Sequence, residues 1–163
     1  KMGKSKETVN WIFEGKEITS IEQFPPEAIG IIYRINNLSN GKYYFGRKTC
    51  ISRKKKKLTI AEKKLEENKR KTFKYEVSES SGWKTYRGSN KPLLADLNNG
   101  DKFEKIIIQF CYSKAEMTFY ETRAIACSDC MLTEDCYNDW FSSKVYKSHL
   151  IGKRSLEHLK ESS

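Results

Sequence analysis

Two tyrosines and a glycine are the first residues in this chain whose types and spacing could do chemistry. Tyr33 lies in the β-branched and aromatic run Ile29, Ile31, Ile32, Tyr33, Ile35, and Tyr44 lies in the run Tyr43-Tyr44-Phe45. Between them stands Asn40-Gly41, a pair that tolerates the positive φ of a type I′ turn and so predicts a hairpin. With a loop of two residues or of four (Leu38 to Gly41), odd positions of the first strand pair with even positions of the second. Tyr33 and Tyr44 then project from one face, with open space over Gly46. Followed by Arg47 and Lys48, two phenols over a glycine make a small polar site; packing of a sheet face is the alternative.

The second residue of this kind is Glu121. Ser113-x-x-Glu116 is a capping box and predicts a helix start. The helix then carries an apolar stripe of Met117, Tyr120, Ala124 and Ile125, with Glu116, Thr122 and Arg123 on its polar face. Glu121 falls inside the stripe, where a carboxylate is costly unless a cation meets it. A buried ion pair and a bound metal ion are both consistent with that position.

The elements that must hold these groups are legible in outline. Trp11 to Ile18 reads as an edge hairpin turning at Glu14-Gly15, within an N-terminal extension over 1–28 whose first ten residues are polar. Phe24-Pro25-Pro26 is an extended joint. Ser81 to Ser89 has turn residues around Trp83 and Tyr86, with Trp83 expected in the core. A helix runs from Pro92 to a stop at Asn99-Gly100, and Phe103 to Cys111 has the composition of a buried central strand. Arg53-Lys54-Lys55-Lys56-Lys57 is an uninterrupted cationic run. The segment 52–76 that it opens, with Thr59 as N-cap and a thin stripe at Leu58, Ala61, Leu65, Lys69 and Phe73, predicts a mobile, partly helical arm suited to phosphate contact. Residues 147–163 form a polar tail with a weak helical pattern.

Composition limits the function classes. The chain has 163 residues, enough for one core, and a formal net charge of +10 from 31 Lys and Arg against 21 Asp and Glu. Such an excess suits a polyanion partner, because each neutralised phosphate releases counterions. No run reaches the roughly 18 apolar residues of a membrane helix and no signal sequence opens the chain, so a cytoplasmic protein with no membrane partner is expected. Five cysteines (Cys50, Cys111, Cys127, Cys130, Cys136) are then expected as reduced thiols. Cys127-x-x-Cys130 with Cys136 and His149 offers zinc-ligand types. Lacking a second Cys-x-x-Cys or a close His pair, it is not read as a zinc site.

Ile31-Ile32-Tyr33, ten intervening residues, and Tyr44-Phe45-Gly46 together resemble the paired signature of the GIY-YIG nuclease superfamily. The first triplet lacks the usual glycine and the second has phenylalanine for isoleucine. Trp83, Tyr86 and Ser89 resemble a segment of its phage-type branch, that of the Seg homing nucleases. The likeness runs from about Gly30 to Ser143 and places a nuclease domain over 29–146.

That resemblance implies an α/β fold: a small central antiparallel three-stranded sheet flanked by helices. It implies a magnesium- or manganese-dependent endonuclease cutting DNA, double-stranded before any other, to 5′-phosphate and 3′-hydroxyl ends, and encoded by a phage or mobile element. A catalytically inactive nucleic-acid-binding module of the same fold is the alternative. By the same resemblance Glu121 is the metal ligand and Tyr33 is the general base, a role for which a phenol of pKa about 10 needs the metal or a cationic neighbour such as Lys48 or Arg47. Tyr44 orients water or phosphate, and Asn138 holds the carboxylate or the phosphate. Arg53, nine residues past Tyr44 and expected on a helix, is the catalytic cation, with Arg47 in reserve. Arg47, Lys48, Lys54, Lys55, Lys56, Lys57, Tyr86 and Ser89 are the expected nucleic-acid contacts. Target specificity is left to the arm, the loops or a homodimer.

Overall fold

A computed structural model describes residues 8–140; the expected polar tail and His149 lie outside the described residues. The strands are β1 (Trp11–Phe13), β2 (Lys16–Ile18), β3 (Gly30–Asn37), β4 (Tyr43–Thr49), β5 (Ile51–Lys57), β6 (Phe73–Glu79) and β7 (Phe103–Cys111). The helices are α1 (Ile60–Lys63), α2 (Lys91–Asn98) and α3 (Lys114–Cys127). The fold is α/β, but the main sheet has five strands in the order β2-β1-β7-β3-β4, where three were expected. Its antiparallel part is β7-β3-β4. The two extra strands join through a parallel pairing of β1 with β7, Trp11 opposite Lys105 and Ile12 opposite Ile106. Parallel partners far apart in sequence leave no local turn signal.

Hairpin β3–β4 has the expected parity, with Tyr33 opposite Gly46 and Ile35 opposite Tyr44. Its loop is the four-residue form, closed by the Asn37 amide on Lys42 oxygen at 2.8 Å. Only Gly41 takes positive φ there, so the type I′ turn expected at Asn40-Gly41 is not formed. It is found instead at Glu14-Gly15, with φ of +48° and +81°.

Each face of the sheet has its own core. On one, Ile31, Tyr33, Ile35, Ile107 and Phe110 pack with Trp11, Trp83 and the α2 residues Leu93 and Leu97. Ile107 and Phe110, three apart, would alternate to opposite faces of a regular strand. A bulge in β7 opposite Ile32 and Tyr33 returns both to this core. On the other face, Ile32 and Cys111 pack with Met117 and Tyr120, and Phe45 with Ile125 and Cys130. The capping of α3 explains one departure from the expected helix faces. Ser113 accepts from the Glu116 amide at 3.1 Å, while Glu116 accepts from the Tyr112 amide at 2.9 Å and is buried.

The Lys-rich arm is not mainly helical. Strands β5 and β6 form a two-stranded antiparallel ribbon of their own, from Ile51 opposite Glu79 to Lys57 opposite Phe73. Helix content shrinks to α1, capped as expected by Thr59, and a 3₁₀ turn. The cysteines also differ from expectation. Cys130 and Cys136 are joined in a disulfide, closing the loop after α3, while Cys50 and Cys111 are buried free thiols and Cys127 is an exposed one. No helix among the described residues is long and apolar enough to cross a membrane.

Candidate active site at the outer edge of strand β4

Gly46 decides how the tyrosines sit. A Cβ on Gly46 would lie 2.5 Å from Tyr33 Cζ, far inside contact distance, so only glycine lets the Tyr33 ring cross β4. Tyr44 lies beside it, ring centroids 6.2 Å apart. A second glycine, Gly88, with φ of +88°, closes over both phenols: a Cβ there would stand 3.4 Å from Tyr33 Oη and 3.2 Å from Tyr44 Cε1. Tyr86 meets Tyr33 edge-on at 5.9 Å, and Ser89 lies near enough to Tyr44 to oppose the rise in its pKa. Trp11 backs the Tyr33 ring at 5.1 Å and is itself fixed by its indole N–H on the Trp83 oxygen at 2.8 Å.

Strand β4 is the last in the sheet, so its outer edge must find other partners. Tyr43 bonds the residues on either side of Cys136: its amide reaches the Asp135 oxygen at 2.9 Å, and its carbonyl accepts from Tyr137 at 2.8 Å. Phe45 bonds the Asn138 side chain, whose oxygen accepts from the Phe45 amide and whose amide donates to the Phe45 carbonyl, both at 2.8 Å. Alternation turns the Arg47 amide outward next, and the Glu121 carboxyl lies near enough to that stretch of backbone for Arg47 to oppose the rise in its pKa. Glu121 therefore stands at the rim of β4 although α3 packs on the face away from the tyrosines. The Arg47 guanidinium is anchored on the Thr118 hydroxyl, one turn before Glu121.

Burial dominates the electrostatics here. It pushes the Tyr33 hydroxyl well above the ordinary tyrosine pKa, and Tyr86, Tyr44 and Glu121 push it further. Burial also raises Tyr44, with Ser89 opposing, and raises Glu121, with Arg47 opposing. The strongest influences on the Tyr33 hydroxyl all raise its pKa, and neither Lys48 nor Arg47 is one of them. Lys48 rests over the Tyr86 ring at 4.5 Å and Arg47 is held on α3. These surroundings favour the neutral form of the Tyr33 phenol.

The structure thus brings together Tyr33, Tyr44, Tyr86, Ser89, Arg47, Lys48 and Glu121. It does not bring Arg53 to them on a helix: Arg53 is on β5 opposite Val77, its guanidinium 6.0 Å from the Tyr75 ring. Lys54, Lys55, Lys56 and Lys57 follow on the same exposed strand, with Lys56 ion-paired to Glu76. Nor does Asn138 offer its amide to Glu121, since both ends of that amide are committed to Phe45. Sequence reasoning missed Gly88, Thr118 and Asp139, the last close enough to Tyr44 to raise its pKa. The Gly88-Ser89 pair was the one local signal, a glycine where backbone approaches side chains closely.

Among the described residues no three His, Cys, Asp or Glu side chains converge on a point. A rim carboxylate such as Glu121 still fits magnesium or manganese, because magnesium keeps several waters and commonly binds one or two carboxylates plus substrate phosphates. It does not fit the closed four-ligand arrangement of structural zinc, and the disulfide occupies two of the cysteines that a zinc site would draw on.

No curated protein and no solved structure matches the chain. The family model described as "Putative endonuclease segE, GIY-YIG domain" matches residues 11–145, which takes in the whole five-stranded sheet, the ribbon and α3. The chain belongs to the SegE-type GIY-YIG endonuclease family.

Proposed function

We propose that this chain is an endonuclease that hydrolyses DNA phosphodiester bonds to 5′-phosphate and 3′-hydroxyl ends. The observation that carries the reading is the placement of Glu121 at the β4 rim, with Arg47 on one side and the two phenols on the other. Glu121 would hold one magnesium or manganese ion, which supplies charge neutralisation at the scissile phosphate and leaving oxygen.

The chain's own groups do the positioning. Arg47 presents a forked cation beside Glu121, its guanidinium anchored on the Thr118 hydroxyl, so it can meet the growing negative charge of the phosphorane. This gives Arg47, and not Arg53, the role of catalytic cation. Tyr33, protonated, donates to a phosphate oxygen, and Tyr44, less buried and beside Ser89, orients the attacking water, whose proton passes to a non-bridging oxygen of the substrate phosphate. Tyr86 and Lys48 fix the far side of Tyr33. Asn138 acts by holding β4 straight at Phe45, as a positioning residue. The Seg-type match supports a phage or mobile-element origin.

Supercoiled plasmid incubated with the protein and magnesium, manganese or EDTA tests the reading, beside Glu121→Ala and Tyr33→Phe. Relaxed or linear DNA from the unaltered chain with metal, and intact plasmid from Glu121→Ala with its fold retained, is the expected result. Cleavage that survives Glu121→Ala sinks the site assignment. Binding without any cutting leaves the inactive nucleic-acid module as the better description.

A further inference from the structure

The β5–β6 ribbon is two-faced. Register puts Arg53, Lys55 and Lys57 on one face with Val77, Tyr75 and Phe73 directly opposite them. Lys55 lies 4.2 Å over the Phe73 ring and Arg53 6.0 Å from the Tyr75 ring. No carboxylate stands among these six, and Glu79 at the base is engaged by the Trp83 indole at 2.6 Å. The apolar members remain open to solvent, Phe73 at 39%, Tyr75 at 57% and Val77 at 52%. The opposite face is compensated: Lys56 pairs with Glu76, and Lys74 with Glu62 at 2.6 Å. Rings left this open to solvent are kept at a cost, and their face concentrates three cations without an acid.

We propose that this ribbon is a reading element for duplex DNA that enters the major groove with the Arg53, Lys55, Lys57, Phe73, Tyr75 face turned to the base edges. The deeper reading rests on the chain's acting on DNA. The major groove, about 12 Å wide, admits a two-stranded β-ribbon, and strands of this length run about 20 Å along it. Arg53 and the lysines supply donors for guanine O6 and N7, and the rings meet thymine methyl groups. The compensated face, with its ion pairs already made, turns to solvent.

The test is binding in EDTA, so that cutting plays no part, by fluorescence anisotropy of labelled duplex and single-stranded oligonucleotides. The Arg53→Ala, Lys55→Ala double variant should lose about tenfold or more in duplex affinity. The Lys54→Ala, Lys56→Ala double variant removes the same charge from the other face and should lose less than about threefold. Dimethyl sulfate footprinting should show guanine N7 protected by the unaltered chain and by Tyr75→Phe, and unprotected with the Arg53, Lys55 variant. Equal losses from the two double variants overturn the proposal, as does tighter binding to the single strand or protection confined to adenine N3 in the minor groove. Plasmid cleavage is followed in parallel. Groove protection without cleavage keeps the ribbon assignment and removes the nuclease reading; cleavage with the two double variants alike does the reverse.

Discussion

Strands β4 and β5 are separated in the chain by one residue, Cys50, and they sit in opposite physical surroundings. Every side of β4 is occupied: β3 on one edge, Asn138 and Glu121 on the other, tyrosines over one face and α3 under the second. From Arg53 onward β5 has only its hairpin partner and water. The join is held by Cys50, whose amide bonds the Ile29 oxygen and whose carbonyl accepts from Ser80, both at 2.8 Å. Groups that must meet a reacting atom need surroundings that over-determine them, while groups that attract a polyanion need only charge and shape. The chain places one kind immediately after the other.

Substitutions can break or sharpen that contrast. The largest effect is expected from Glu121→Ala: cleavage down at least about a hundredfold, with duplex affinity in EDTA changed by less than about twofold. A matching loss of affinity would mean that the rim binds as much as it cuts. Next, Arg47→Ala should lower kcat by about ten- to a hundredfold with KM little moved, whereas Arg53→Ala should raise KM and leave kcat near its starting value. The reverse pattern would return the catalytic role to Arg53 and imply that the ribbon folds onto the site. Third, Gly46→Ala drives a methyl into the Tyr33 ring and should cost about 1–3 kcal/mol of stability, seen as a lowered Tm. Lys55→Ala on the ribbon should leave Tm unmoved.

The smallest effect concerns Lys105, buried on β7 with its Nζ on the Lys84 oxygen at 2.8 Å and 4.2 Å from the Trp11 ring. Burial lowers its pKa to about 8, so on unfolding it takes up a proton at pH values between that and the ordinary lysine range. Its linkage to folding therefore favours the native state fully above about pH 10.4, and that gain is lost as pH falls through about 8. Urea unfolding at pH 7.5 and pH 9.5 should show the unaltered chain gaining on Lys105→Met as pH rises. The paired comparison removes the opposing pull of the buried Cys50 and Cys111 thiols. Lys55→Met, exposed on the ribbon, should show no such trend.

What could be read from the sequence was local. Hairpin β3–β4, the Ser113 cap, the Asn99-Gly100 stop of α2 and the run that became β7 all carry their signals within a few residues. The tyrosine pair followed from parity alone. The ribbon was misread because Leu58, Ala61, Leu65 and Phe73 satisfy helical spacing. Its real signal, the alternation Phe73, Tyr75, Val77, is only three positions long, opposite a lysine run with little strand preference. Asn138 looks like any turn asparagine until Phe45 is beside it, and nothing near Trp11 announces a parallel partner more than ninety residues later.

That distance governs when the site can come into being. The hairpin bearing Tyr33 and Tyr44 has no sheet partner on its inner edge until β7 has been synthesised, and β7 also pairs with the strand that sets Trp11 against the phenol. Glu121 arrives later still, and the Asn138 clamp last of all. A chain built of such long-range contacts folds slowly compared with one built of neighbours. On the ribosome the cationic ribbon, whose pairing is local, emerges complete well before the carboxylate. The nascent protein would therefore be able to cling to nucleic acid some time before it could cut any.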